Sequence, residues 1–144
     1  MLYDPCLCSY GKGDRERVWI EIIEARAKTD YSVMIFGDFK EVLRPEEHRS
    51  RQVSQRGMTE FGSFFNILGV AVIPLKGRKY TWSREKSYSR IDRVFMESGW
   101  FSALPDLQLL GLRCNLSDHC PLLITKSEQN WGPKPFMFFD CWYS

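Results

Sequence analysis

The chain has 144 residues, 44% of them hydrophobic and 15% aromatic, a composition that excludes a disordered segment and is enough for one domain with a real core. Its formal net charge is only +2, so global charge names no partner. No stretch approaches membrane-spanning length, and no basic region followed by an apolar run opens the chain, which argues for a protein with no membrane partner.

Residues 1–13 read as loop or frayed strand around Pro5, Gly11 and Gly13. Asp14 is the expected cap of a helix from Arg15 to Lys28, with Val18, Trp19, Ile22, Ile23 and Ala25 facing inward and Glu16, Glu21, Glu24 and Arg26 facing water. Thr29-Asp30 turns the chain into a strand from Tyr31 to Phe36, closed by Gly37-Asp38. Residues 40–57 are polar and charged and read as a long surface loop. Met58, Phe61, Phe64, Phe65 and Leu68 recur at helical spacing and predict a core-facing helix over Thr59 to Leu68.

Val70 to Ile73 predicts a short strand stopped by Pro74, and Lys76-Gly77-Arg78 a turn. Tyr80 to Arg84 alternates like a hairpin strand, Glu85 to Ser89 reads as a polar link, and Arg90 to Phe95 as the next strand. One helical turn over Met96 to Phe101 and strands over Leu107 to Leu112 and Leu122 to Thr125 complete the core. A tail over 127–144, with Gly132, Pro133 and Pro135, reads as linker or as a late edge strand across Phe136 to Trp142. Cys6, Cys8, Cys114, Cys120 and Cys141 are odd in number and form no dense framework. They predict free thiols and an intracellular place, cytoplasmic or nuclear, while Cys6-Leu7-Cys8 is too tightly spaced for a zinc or redox pair.

Three polar groups stand at the ends of apolar strands: Asp38 after Val33 to Gly37, Asp92 inside Arg90 to Phe95, and Asp118-His119 just before Leu122. Buried carboxylates without partners are costly, so the set points to one shared cleft. An Asp–His pair fixes the imidazole tautomer and favours the cation, a good partner for a phosphate oxygen. The bland alternative is that Asp118 caps a turn and His119 fills a polar corner. Basic residues gather between Pro74 and Arg93, among them Lys76, Arg78, Lys79, Arg84 and Arg90. That pattern suits phosphates, and equally a solvated hairpin tip.

Four segments, Gly37-Asp38-Phe39-Lys40, Tyr80-Thr81-Trp82-Ser83, Ser89-Arg90-Ile91-Asp92-Arg93 and Ser117-Asp118-His119-Cys120-Pro121, resemble in order and spacing the endonuclease/exonuclease/phosphatase superfamily. Within it the resemblance is to the endonuclease domains associated with the reverse transcriptases of plant non-LTR (LINE-type) retrotransposons. It covers nearly the whole chain but only about the second half of such a domain. It implies an α/β (α+β) fold, a partial four-layer sandwich of mixed, mostly antiparallel sheets flanked by helices. The expected organisation is one truncated domain over 1–144 with its core at about 10–126, able to self-associate through uncovered sheet surface.

The resemblance also implies a Mg²⁺- or Mn²⁺-dependent phosphodiesterase acting on DNA, without a small-molecule cofactor. Asp38 would orient or deprotonate the water, Asp92 would orient His119, and His119 would contact the phosphate. Asp118 and Asp38 would hold the metal. Lys76, Arg78, Lys79, Trp82, Arg84 and Arg90 would border the nucleic acid, with Trp82 mainly structural. Tyr10 matches the family's active-site tyrosine, with Tyr3 as a rival. Lys40 departs from the family's asparagine and stands within reach of Asp38. The family's metal-binding glutamate and a further asparagine have no counterpart here. These departures make an inactive or weak enzyme the expectation, with a non-catalytic remnant that binds nucleic acid weakly as the alternative.

Overall fold

The computed structural model describes residues 12–50, 52–115 and 117–127. Helix α1 (Lys12–Ala27) is followed by β1 (Met34–Asp38), a short 3-10 turn at Pro45–Glu47, β2 (His48–Arg49) and α2 (Gln55–Leu68). Then come β3 (Ala71–Val72), β4 (Leu75–Lys76), β5 (Trp82–Arg84), β6 (Ser87–Ser89), β7 (Asp92–Met96), α3 (Ser98–Ala103), β8 (Leu107–Gly111) and β9 (Leu122–Lys126).

Among the described residues the strands form three three-stranded sheets, ordered β1-β7-β3, β2-β6-β5 and β4-β8-β9. All pairings are antiparallel except β4 with β8. The sheet around β7 is central because its two faces are both apolar, as strand alternation dictates. Ile35 and Phe95 join Val18, Trp19 and Ile22 of α1 and Phe61, Phe64, Phe65 and Leu68 of α2 in one core. Met34, Phe36, Val94 and Met96, one residue out of phase, meet Leu109, Leu107 and Leu122 of the β4-β8-β9 sheet. The layers run helices, sheet, sheet.

Helix α2 shows how local sequence supports this stacking. Ser54 caps it by accepting from the Gly57 amide at 3.2 Å, and Gly69 ends it at φ 65°, a left-handed conformation that glycine adopts without steric cost. The five predicted core residues are all buried. Ser54→Ala should remove the cap and cost about 1 kcal/mol, read as a fall in melting temperature of about 3 °C.

Several expectations shift. Asp14 lies in the first turn of α1 rather than at its cap, Ala25 is exposed, and Arg26 turns in to pair with Glu97. The first strand begins at Met34 and not at Tyr31, which is 82% exposed. The link over Glu85 to Ser89 contains β6, the hairpin partner of β5, because Glu85 takes a left-handed φ of 54° and reverses the chain. The segment 40–57 is anchored rather than solvated: Glu41 and Val42 are buried, and His48 and Arg49 pair with Ser89 and Tyr88. Cys114 and Cys120 are joined in a disulfide, so those two are not free thiols. Gly111 opposite Leu122 in the β8–β9 ladder brings the chain just beyond each strand together, with Cα atoms 4.4 Å apart. Tyr3, Tyr10, Cys6, Cys8, Cys141 and the aromatic tail lie outside the described residues. No helix among the described residues is long and apolar enough to cross a membrane.

Candidate active site

The register of β1 against β7 builds the site. Asp38 stands directly opposite Asp92 at the end of the ladder, and opposed residues of an antiparallel pair project from the same face. Like charges so placed repel, a cost that a purely structural sheet end would avoid. Burial pushes the Asp92 carboxyl up from its ordinary range; the Thr81 hydroxyl and His119 pull the other way, and Asp38 adds to the rise.

The third group arrives from another sheet. Within the disulfide loop, the chain runs beside β5: His119 bridges Trp82, the Ser83 amide donates to the Asp118 carbonyl at 2.8 Å, and the Cys120 amide donates to the Thr81 carbonyl at 2.7 Å. This places His119 Nδ1 3.0 Å from Asp92 Oδ1 and 3.1 Å from Oδ2. An ionised carboxylate only accepts, so Nδ1 carries the proton. His119 Nε2 then faces Asp38, 3.7 Å from Oδ2. Thr81 is fully buried, and its hydroxyl accepts from the amides of Ile91 and Asp92 at 3.2 and 3.0 Å. That one residue ties β7 to the strand that holds the histidine.

Asp38, Asp92 and His119 each offer a ligand atom, all within 4.8 Å of one another. Two carboxylates and an imidazole suit a divalent cation in kind; oxygen donors fit Mg²⁺, and the added imidazole fits Mn²⁺ better. Lys40 competes for the same place. Its ammonium pairs with Asp38 Oδ2 and its amide donates to Oδ1 at 3.0 Å. Its backbone sits at φ 54°, a region where asparagine is favoured several-fold over lysine.

Asp118 is not in this group. Its Oδ2 accepts from the Trp82 indole N–H at 3.0 Å, and that bond, with His119 and Ser117 nearby, holds its carboxyl below the usual range. The loop turns Asp118 outward, where it orients Trp82. The cluster of possible ligands contains Asp92, whereas the sequence reading places Asp118 beside Asp38.

A groove of about 570 Å³ opens beside the site, lined by Arg15, Lys40, His48, Trp82, Arg84, Asp118 and His119 among others. Of the residues expected to border nucleic acid, Trp82 and Arg84 reach it. Arg90 does not: it is drawn inward to Glu47 Oε1 at 3.9 Å, and burial, aided by Arg93, brings its guanidinium below its ordinary range. Arg78 lies against the disulfide sulfurs, Lys76 donates to Gln108 at 3.1 Å, and Lys79 sits over the Tyr80 ring. Arg15 and Glu47 are contributors that sequence reasoning missed. Arg15 donates to the Lys40 carbonyl at 2.8 Å. Glu47 accepts from the amides of Leu43 and Arg44 and from buried Arg93. The second of the two acids following Pro45 was the available signal.

No protein-family model and no curated protein matches the chain. Among solved structures it is similar to the 3′-5′ exonuclease (NExo) from Neisseria meningitidis, with TM-score 0.60 and 19% identity. The match covers 83% of this chain and 56% of that chain, so this chain spans little more than half of the exonuclease's length. At that identity the likeness speaks for the fold alone: a layered α/β sandwich with mostly antiparallel sheets flanked by helices.

Proposed function

We propose that this chain is a degenerate, divalent-metal-dependent phosphodiester hydrolase acting on DNA, an intracellular relative of the endonucleases of LINE-type retrotransposons. The observation that carries the reading is the opposed pair Asp38 and Asp92 with His119 held between them. Hydrolysis of a phosphodiester needs an oriented water, a positive group at the phosphoryl oxygens and a proton for the leaving oxygen. Asp38 would accept the proton of the attacking water. His119, oriented by Asp92 through Nδ1, would present Nε2 to the phosphate. A bound cation would neutralise phosphate charge, and the Asp38 and Asp92 carboxylates are the side chains that would hold it while His119 Nε2 faces the phosphate. Trp82 and Arg84 line the groove in which the strand would lie.

The Lys40–Asp38 ion pair favours a second reading. An ammonium on the proposed base both neutralises it and repels a cation, which would leave a nucleic-acid-binding protein without turnover. Supercoiled plasmid incubated with Mg²⁺ or Mn²⁺, with and without EDTA, separates the two. The hydrolase reading expects slow, EDTA-sensitive relaxation that Asp38→Ala and His119→Ala each abolish. Relaxation that ignores both substitutions, or none even after Lys40 is replaced, favours the second reading.

A further inference from the structure

The Cys114–Cys120 disulfide has no part in the chemistry above, yet its short loop contains Asp118 and His119. Cys114 is half-buried and reachable from solvent, whereas Cys120 is 5% exposed. The Arg78 side chain lies across Gly111, its Cδ 3.0 Å from where a Cβ would be. It puts Nη1 2.6 Å from Cys114 Sγ and 2.9 Å from Cys120 Sγ. A cation at both sulfurs is what a bond built for exchange needs, since it favours the anionic sulfur released when the bond opens. A groove of about 290 Å³ lined by Arg78, Lys79, Tyr80 and Cys120 adjoins it. In a reducing compartment, the place proposed for this chain, disulfides are mainly transient, catalytic or redox-sensing.

We propose that Cys114, Cys120 and Arg78 form a reversible thiol–disulfide modification site, whose substrate class is a small or protein dithiol, and that its state sets how firmly His119 is held. A reductant thiolate attacks the reachable Cys114 sulfur, and the S–S bond breaks with Cys120 as the leaving group beside Arg78. The reagent's second thiol then displaces Cys114. The dithiol becomes a disulfide, and two electrons and two protons pass to the chain. With the bond closed, His119 is held by the backbone bonds of its neighbours Asp118 and Cys120 to Ser83 and Thr81, and through Cys120 by the tether to Cys114 just beyond β8. Opening removes that tether and leaves the backbone bonds alone.

The experiment measures carbethoxylation of the two histidines, His48 and His119, by peptide mass, before and after dithiothreitol, so it reads the site even if the chain hydrolyses nothing. Maleimide labelling of Cys114 and Cys120 reports the redox state of the same samples. Reduction should accelerate modification of His119 about fivefold, the size of a modest local opening, and leave His48 unchanged as internal reference. Cys114→Ser, with Cys114→Ala as a second version, should give the fast rate regardless of dithiothreitol. Arg78→Gln should slow the reduction itself about tenfold. Equal His119 rates in fully oxidised and fully reduced chain overturn the proposal, as does failure of Cys114 and Cys120 to join under oxidised glutathione. An Arg78→Gln rate equal to the parent's removes arginine from it.

Discussion

Lys40→Asn should raise the rate of EDTA-sensitive plasmid relaxation by about a hundredfold, the size of one oriented transition-state contact. Two physical effects combine. The ammonium leaves Asp38 Oδ2, which frees a base and removes a positive charge from the place a cation would take; Mn²⁺ affinity, read by titration calorimetry, should improve on the order of tenfold. An amide then stands beside the carboxylate with both a donor and an acceptor. Lys40→Ala separates the two effects: it should recover the cation affinity and only a minor part of the rate. The fold should tolerate the change well, because φ 54° at this position suits asparagine better than lysine. Asp38→Ala in the Lys40→Asn background should return the rate to that of EDTA-treated protein. A Lys40→Asn protein that binds Mn²⁺ more tightly yet nicks no faster would refute the role given to Asp38.

The largest loss of stability should come from Glu47→Ala, about 3–5 kcal/mol, or a fall in melting temperature of roughly 10 °C. Arg93 is 1% exposed, and its guanidinium meets both oxygens of Glu47. Removing the acid strands a buried cation that no solvent reaches. The same carboxylate accepts from Leu43 and Arg44, and the Glu47 carbonyl accepts from the Arg90 amide at 2.9 Å, so the loop after Asp38 would come loose from β7 as well. Burial alone would raise the Glu47 carboxyl, but Arg93 and the two amides outweigh it and hold it below its ordinary value of 4.5. A depressed carboxyl binds fewer protons folded than unfolded, so stability rises with pH in that window. The contribution is complete above about pH 5 and drains away as pH falls through the folded value. Urea melts at pH 7 and pH 4 should therefore converge for Glu47→Ala and differ for the parent. Equal pH sensitivity in both would show that other groups carry the acid response.

Periodic burial was legible in the sequence. Met58, Phe61, Phe64, Phe65 and Leu68 marked α2 because a helix against a sheet repeats its contacts every turn, and the alternation of Phe36, Asp38, Asp92 and Val94 follows from strand geometry in the same way. The ends of β1 and the approach to β9 were also visible, which is why Asp38, Asp92 and His119 could be named together. What escaped depends on register between distant strands. Nothing local tells that Cys114 and Cys120 meet, since that follows from Gly111 facing Leu122. Nothing local tells that Arg90 turns inward while Arg84, six residues before it, stays exposed; the buried demand of Glu47 decides it. Nothing local tells which way Asp118 points either, because adjacent residues in an irregular loop can face opposite sides, and here it accepts from the Trp82 indole.

Thr81 carries a consequence for how such a chain changes over generations. Its hydroxyl and carbonyl take three bonds, all donated by main-chain amides, those of Ile91, Asp92 and Cys120. Main-chain amides are present whatever side chain a mutation supplies, proline excepted. Substitutions at positions 118 and 119 can thus erase chemistry while the loop keeps its track beside β5. A lineage could lose turnover and retain the framework through long periods of drift. Recovery would then be short: lysine and asparagine codons differ only in their third base, so the step at residue 40 lies one nucleotide away.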